Sequence, residues 1–232
     1  SLRNKKMSQK PAVTIYENVT RPAAEIVRQF EVPTGYITDL QGRRGALDCG
    51  INPLFEFPAL VGTALTVKTV PDDNLAVFAA MGAARAGDVL VIAIDSWTGS
   101  AVIGDLVAAM FNNIGLAGVV TDGAARDVAG LSQVGLPVSA RGLTSNSSQK
   151  NGPGTVGADI SICGVIIRSG DIIVGDRDGV AVLPQEKIPE ALEGLQAVRA
   201  RERSMEERIA AGMTMPDWVK AFLAGERVKF MS

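Results

Sequence analysis

Two short segments carry the side chains best suited to chemistry. Thr121-Asp122-Gly123-Ala124-Ala125-Arg126-Asp127 ends on a guanidinium beside a carboxylate, and Gly104-Asp105-Leu106-Val107 is a glycine-led entry into a helix. The start of a helix offers N–H groups without intrahelical acceptors and the positive end of the dipole, which together attract a carboxylate or phosphate. The Thr121–Asp127 segment follows an apolar run that reads as a buried strand, and ligands in open α/β sheets gather at such strand ends. Arg126 and Asp127 there offer a cation and a hard-oxygen metal ligand. Each piece alone has a plainer reading, which its spacing by itself favours. Arg126-Asp127 reads as an exposed ion pair with a helix-capping Asp, Gly104-Asp105 as a cap, and Asp122-Gly123 as a turn.

The chain has no histidine. Ser-His-Asp and Cys-His catalysis and His-ligated zinc are therefore excluded, and acid–base work falls to carboxylates, Lys, Tyr or water. Oxygen ligands favour Mg²⁺ or Mn²⁺ over zinc or copper. No GxGxxG follows a strand and no GxxxxGK[ST] is present, which counts against nicotinamide, ATP and standard methyl-donor sites. No lysine lies between Thr69 and Gln149, which ranks a lysine Schiff base low. Asp176 and Asp178 read as turn formers, because the rest of a calcium-loop pattern is missing.

The elements that must position these residues follow from periodicity. Residues 1–20 read as a flexible N-terminal arm. A helix is expected over Arg21–Phe30, capped by Thr20 with Pro22 in its first turn, and another over Thr34 to about Gln41. Ala59–Val70 reads as a strand, Asn74–Arg85 as a helix capped by Asp72 or Asp73, and Val89–Ile94 as a strand buried on both faces. Leu106–Ile114 is helical and stops at Gly115, Ala117–Thr121 is the next strand, and Asp122-Gly123 turns the chain. Val128–Val134 is a short helix and Val138–Arg141 a strand. Thr144–Gly157 reads as a mobile loop, and short strands follow within 160–167, 171–174 and 179–183. Ile188–Ala211 is a long charged amphipathic helix with a solvated or subunit-facing surface, followed by a tail with Trp218 and Phe222 at i, i+4. Alternating strands and helices followed by consecutive strands suggest a compact α/β sandwich. The expected organisation is an arm at 1–20, an α/β domain at 21–187 and a helical extension at 188–232.

Composition narrows the partners. Of 232 residues 47% are hydrophobic and 5% aromatic, with 23 Lys+Arg against 25 Asp+Glu. The balance lacks the basic footprint of a nucleic-acid binder and the aromatic platforms that stack bases. No apolar run is long enough to span a bilayer, and no apolar stretch follows the polar Ser1–Lys10, so neither a membrane span nor a signal peptide is expected. Cys49 and Cys163 form no CxxC pair and read as buried small hydrophobes in a reducing, cytoplasmic compartment.

Taken in order, Gly62–Val67, Ala86–Val91, Gly104–Leu106, Gly115–Asp127, Gly170–Val180 and Pro184 strongly resemble the RraA-like family, which includes the 4-hydroxy-4-methyl-2-oxoglutarate / 4-carboxy-4-hydroxy-2-oxoadipate aldolases. The resemblance covers roughly residues 25–205 and is most specific in the Gly-Val-Val-Thr-Asp-Gly-Ala-Ala-Arg-Asp run at 118–127. It implies an α/β/β/α swivelling-type sandwich, a homotrimer or dimer of trimers with sites between subunits, and Mg²⁺ or Mn²⁺. The implied reaction cleaves a 4-hydroxy-2-oxo dicarboxylic acid to pyruvate and a second keto acid, with oxaloacetate decarboxylation beside it. Carried across, Asp127 resembles the metal ligand and Arg126 the residue on the pyruvate oxygens. The backbone of Gly104–Val107 (Gly104, Asp105, Leu106, Val107) resembles the carboxylate cradle. Asp105 resembles the holder of a metal-bound water, and Glu202 a residue reaching the metal's water shell from a neighbouring subunit. Arg126, Asp105 and Asp122 are the catalytic candidates. Members without the Arg-Asp ending include ribonuclease-binding regulators, so a non-catalytic binding protein is the competing class. The sequence departs from the family pattern at Ser169, at Asp95-Ser96-Trp97-Thr98 and in its longer tail.

Overall fold

Short β-branched runs cut by Gly and Asp turns make the middle of this chain alternate strand and helix. The computed structural model describes residues 10–231. Its first half contains β1 (Val13–Ile15), α1 (Ala24–Arg28), α2 (Thr34–Leu40), β2 (Asn52–Pro53), β3 (Leu60–Lys68), α3 (Leu75–Ala79), β4 (Asp88–Ala93), β5 (Ala101–Ile103) and α4 (Asp105–Ile114). Then come β6 (Gly118–Ala125), α5 (Val128–Val134), β7 (Val138–Leu143), β8 (Gly154–Val156), β9 (Ile160–Ile162), β10 (Val165–Ile167), β11 (Ile172–Asp176), β12 (Gly179–Leu183), α6 (Ile188–Ala210) and α7 (Asp217–Leu223).

β3, β4, β6 and β7 lie side by side and parallel, the arrangement that crossover helices impose. β11 runs antiparallel to the first half of β3, with Ile172 opposite Thr63, and pairs β12 on its other edge. Alternation then sorts the core into three clusters. Leu65, Val67, Leu90, Ile92 and Val119 face Val77 of α3, Phe111 of α4 and Leu131 of α5. Val89, Val91 and Val120 point the opposite way and meet Ile160, Ile167, Ile173 and Val182. Ile172, Val174, Ala181 and Leu183 turn outward onto Phe30, Ile37, Ile188 and Leu195. The layers are therefore α/β/β/α, as expected. Each fully buried side chain of the Phe111 kind contributes about 1.5–3 kcal/mol, so loss of period-two alternation in β4 would disrupt two clusters at once. Among the described residues no helix is long and apolar enough to cross a membrane.

Several expectations are corrected. Residues 1–9 lie outside the described part, but Val13–Ile15 of the expected arm pair in parallel with Gly154–Val156. The first helix starts at Ala24 without a side-chain cap, so Thr20 does not cap it. The helix expected over Asn74–Arg85 ends at Ala79 and finishes as a 3-10 turn over Ala80–Gly82. β6 does not stop at Thr121; it continues through Asp122 and Gly123 to Ala125. Thr144–Gly157 is not a free loop: it ends in β8, and Ser148 within it is buried. Cys49 and Cys163 are exposed rather than buried, Cys163 lying between β9 and β10 with φ 49° and its Sγ 2.9 Å from Arg141 Nη2.

Candidate functional site

The end of β6 delivers Arg126 and Asp127 to the same place as the start of α4. β5 pairs in parallel with the last residues of β6, and Arg126 N–H donates to Ile103 O at 3.1 Å. The residue after Ile103 is Gly104, the N-cap of α4, so the two candidate segments meet. Asp127 is the N-cap residue of α5, with a left-handed backbone at φ 58°, ψ 42° and no side-chain capping bond. A non-glycine residue in that conformation carries a cost of order 1 kcal/mol, and such strain concentrates at functional sites. Its carboxylate is turned away from its own helix and toward Gly104.

Gly104 explains itself by that approach. Its backbone is extended, so any residue could adopt it, but a Cβ there would lie 2.8 Å from Asp127 Oδ2 and 3.2 Å from Arg126 Cγ. Asp127 Oδ2 also lies 3.1 Å from Arg126 Nε, and both side chains remain substantially exposed, at 41% and 44%. Arg126 Nη1 donates to Ser147 Oγ, which fixes the far end of the guanidinium.

Gly104, Asp105, Leu106, Val107, Arg126 and Asp127 line one cleft of about 150 Å³. A volume on the order of 150 Å³ admits a six-carbon ring, so a small keto acid is within its capacity. The first-turn N–H groups of α4 have no intrahelical acceptors, and Leu106 N–H is met by Asp105 Oδ1 at 2.7 Å. A broader depression on the other side of the Arg126–Asp127 pair is bounded by Val128, Leu143, Thr144 and Ser145.

Two candidates are not brought there. Asp122 is buried, and its oxygens accept the N–H groups of Ile94 at 2.7 Å and Ser96 at 2.8 Å. It clamps the chain through Asp95 and Ser96, both at positive φ, and does not line the cleft. The reason is the unbroken β6: without a turn at 122–123, this carboxylate stays inside the sheet. Glu202 sits on α6, in the opposite helical layer, where its hydrogen bond to Tyr36 and its charge raise the Tyr36 hydroxyl above its usual pKa, with burial adding to the shift.

Sequence reasoning missed Asn74, Phe78, Ser147, Ser148 and Lys150, which line the same cleft. Lys150 follows directly after the lysine-free stretch, so a lysine is present at the site after all. A Ser/Asn/Lys-rich loop gives no local signal of where it folds back, and Asn74 reads as the first residue of a helix capped by Asp72 or Asp73.

The residues fit a hard divalent cation in part. Asp127 and Asp105 place carboxylates on the cleft wall, and Asp127's carboxylate is committed to no cap. Mg²⁺ is commonly held by one or two carboxylates, with water and substrate oxygens completing its shell. Among the described residues no three acidic, Cys or His side chains form a self-sufficient cage, so waters, substrate or a second copy would supply the rest.

A "Putative 4-hydroxy-4-methyl-2-oxoglutarate aldolase" of Halalkalibacterium halodurans is 40% identical over 192 residues, covering 81% of this chain and 91% of the relative. An uncharacterized protein of Pseudomonas syringae pv. tomato superposes with a TM-score of 0.76 at 28% identity, over 84% of this chain and 93% of the other. Streptomyces coelicolor RraAS2, described as an unusual member of the RNase ES inhibitor RraA protein family, gives 0.71 at 27% identity, over 81% and 100%. Residues 23–182 match the family described as RraA-like: Aldolase/RraA, and the chain belongs to that family.

Proposed function

We propose that this protein is a divalent-metal-dependent aldolase, a carbon–carbon lyase that cleaves 4-hydroxy-2-oxo dicarboxylic acids to pyruvate and a second keto acid. Oxaloacetate, which leaves the same three-carbon enolate on losing CO₂, is a second substrate of the same site. The observation that carries the reading is the shared cleft: a guanidinium, an uncapped carboxylate and a helix start converge on a space sized for a small keto acid. The similarity to a protein named as an aldolase supports it.

Each residue has a task in that chemistry. The first turn of α4, Gly104–Val107, receives the substrate's C1 carboxylate through N–H groups and the helix dipole. Arg126, held by Ser147 and Asp127, stands where negative charge collects on the C2 oxygen when the C3–C4 bond breaks, and stabilises it. Asp127 would hold Mg²⁺ or Mn²⁺, with the Asp105 carboxylate on the same cleft wall available to a water. When bound, the metal supplies Lewis-acid polarisation of the keto acid oxygens. The C4 hydroxyl proton leaves to a water positioned by carboxylates. In a homotrimer or dimer of trimers, Glu202 of a neighbouring copy would be the residue to reach toward that metal's waters.

A lysine Schiff base is the rival route, and Lys150 gives it a residue. Such lysines are normally activated by desolvation or a neighbouring cation, and Lys150 is exposed. Metal removal separates the two. Pyruvate release should vanish after exhaustive chelation and return with Mg²⁺ or Mn²⁺. Turnover that survives chelation, with borohydride trapping of pyruvate on the chain, would replace the metal route by the amine route. A non-catalytic regulator is the second reading, favoured by the likeness to RraAS2. It would stand if no 4-hydroxy-2-oxo acid and no oxaloacetate were turned over with any divalent metal.

A further inference from the structure

One wall of the cleft has no task in the reactions above. Asn74 is only 7% exposed, and its Oδ1 has no hydrogen-bond partner. An unmet buried carbonyl costs about 1–3 kcal/mol, so it calls for an explanation. The amide cannot simply be reversed. Asn74 Nδ2 donates to Val102 O at 3.2 Å, and exchanging the two atoms would set one oxygen against another. The free acceptor belongs to a residue lining the cleft, on the same wall as Lys150.

That wall is built rather than incidental. Asn74 N–H donates to Gln149 O at 2.9 Å, and Gln149 N–H donates to Asp72 O at 2.7 Å. Asp73 Oδ2 accepts the N–H groups of Asn151 and, at 3.0 Å, Gly152. Lys150 is thus held between pinned neighbours, with its ammonium 5.3 Å from the centre of the Phe78 ring. Its backbone cannot drift away from the cleft, while its charged end stays accessible.

The charges count in the same direction. Arg126 and Lys150 balance Asp105 and Asp127 on the cleft wall. A divalent cation would leave the cleft two charges positive, which matches a substrate with two carboxylates. The α4 start and Arg126 account for one of them. Lys150 is the other cation, and the free acceptor of Asn74 in the same cleft calls for a donor.

We propose that Asn74 and Lys150 form the subsite for the half of the substrate that does not become pyruvate. Asn74 Oδ1 accepts a hydrogen bond from the water that takes up the C4 hydroxyl proton, and the Lys150 ammonium binds the carboxylate beyond it. Lys150 is therefore the residue that selects dicarboxylates over monocarboxylates. This rests on the aldolase reading and adds the specificity to it.

The test uses the metal-loaded full-length protein, with Lys150→Gln and Lys150→Arg. Three readouts are taken: cleavage of 4-hydroxy-4-methyl-2-oxoglutarate, cleavage of the monocarboxylate 4-hydroxy-2-oxopentanoate, and exchange of pyruvate methyl protons with D₂O. Lys150→Gln should lower kcat/KM for the dicarboxylate by about 10–100-fold, the range for one lost charge-assisted bond. The monocarboxylate and the exchange should change less than about threefold by the same reasoning, since neither uses Lys150. Lys150→Arg should retain most of the dicarboxylate preference. A Lys150→Gln protein that still prefers the dicarboxylate overturns the subsite. So does one that loses exchange in step with cleavage, because Lys150 would then serve the pyruvate half. If the wild type neither exchanges nor cleaves, the aldolase reading itself fails, and the subsite falls with it.

Discussion

Replacing Gly104 by Ala adds one methyl group at the point where the two halves of the site touch. The backbone there, φ −140°, ψ −174°, suits any residue, so the fold should accept the change. Loss of glycine freedom in the unfolded chain would even favour folding, by about 0.4–1 kcal/mol. The new carbon would lie 2.8 Å from Asp127 Oδ2, 3.2 Å from Arg126 Cγ and 3.4 Å from Arg126 Nε. Comfortable separations between non-bonded heavy atoms are about 3.5 Å, so the carboxylate must retreat by roughly half an ångström or more. A misplacement of about 1 Å costs on the order of 10²-fold in rate. Gly104→Ala should therefore lower kcat/KM for pyruvate-forming cleavage by about 10–100-fold, raise the Mg²⁺ concentration needed for half-maximal activity, and leave the thermal midpoint unchanged or slightly raised. Steady-state kinetics across a metal titration, beside thermal unfolding, gives all three. A variant within about twofold of wild type at every metal concentration would refute the argument, because the contact at Gly104 would then not position Asp127.

Two further substitutions separate structure from chemistry. Asp122→Asn places an amide N–H against one of two backbone N–H groups, at Ile94 or Ser96, and should cost about 1–3 kcal/mol. For a chain of this size that lowers the thermal midpoint by roughly 2–12 °C, while kcat of the folded fraction at lower temperature stays near wild type. A large fall in kcat at full stability would return Asp122 to the catalytic set. Asp171 has its pKa raised by burial, against the opposing bonds from Arg168 and Gln185 N–H. A carboxyl raised in the fold weighs against stability above that raised value. The penalty is lifted as pH falls toward its ordinary 3.8. The stability difference between wild type and Asp171→Asn should therefore shift in favour of wild type as pH falls from neutral toward 4, read from urea unfolding at each pH; a difference independent of pH would contradict it.

Much of this architecture is legible in the residues. Val89–Ile94 reads as a strand buried on both faces, and the structure places its alternate residues in two separate clusters. Leu106–Ile114 and Val128–Val134 are bounded by left-handed glycines at 115 and 135, signals that are local. Arg126 and Asp127 could be singled out because they end an apolar run. What was not legible is what depends on distant pairing. β5 is three residues long and exists because it lies against the end of β6. Asp122-Gly123 has turn composition, yet β6 runs on past it, with only a shift of register against β7 between Thr121 and Ala124. Val13–Ile15 looks like an arm until Gly154–Val156 gives it a partner. Asn74, Ser147 and Lys150 reach the cleft only because Asp72 and Asp73 pin the 149–152 segment from across the chain.

The most direct measurement is Mn²⁺ binding to wild type and Asp127→Asn, each with and without pyruvate, by calorimetry or the Mn²⁺ electron-spin signal. The account predicts a site in the wild type that tightens when pyruvate is added. In the variant, whose thermal midpoint should be close to wild type because Asp127 is exposed and caps nothing, that site should be lost or weakened at least about tenfold. Equal Mn²⁺ affinity in the two proteins, or binding indifferent to pyruvate, would contradict it.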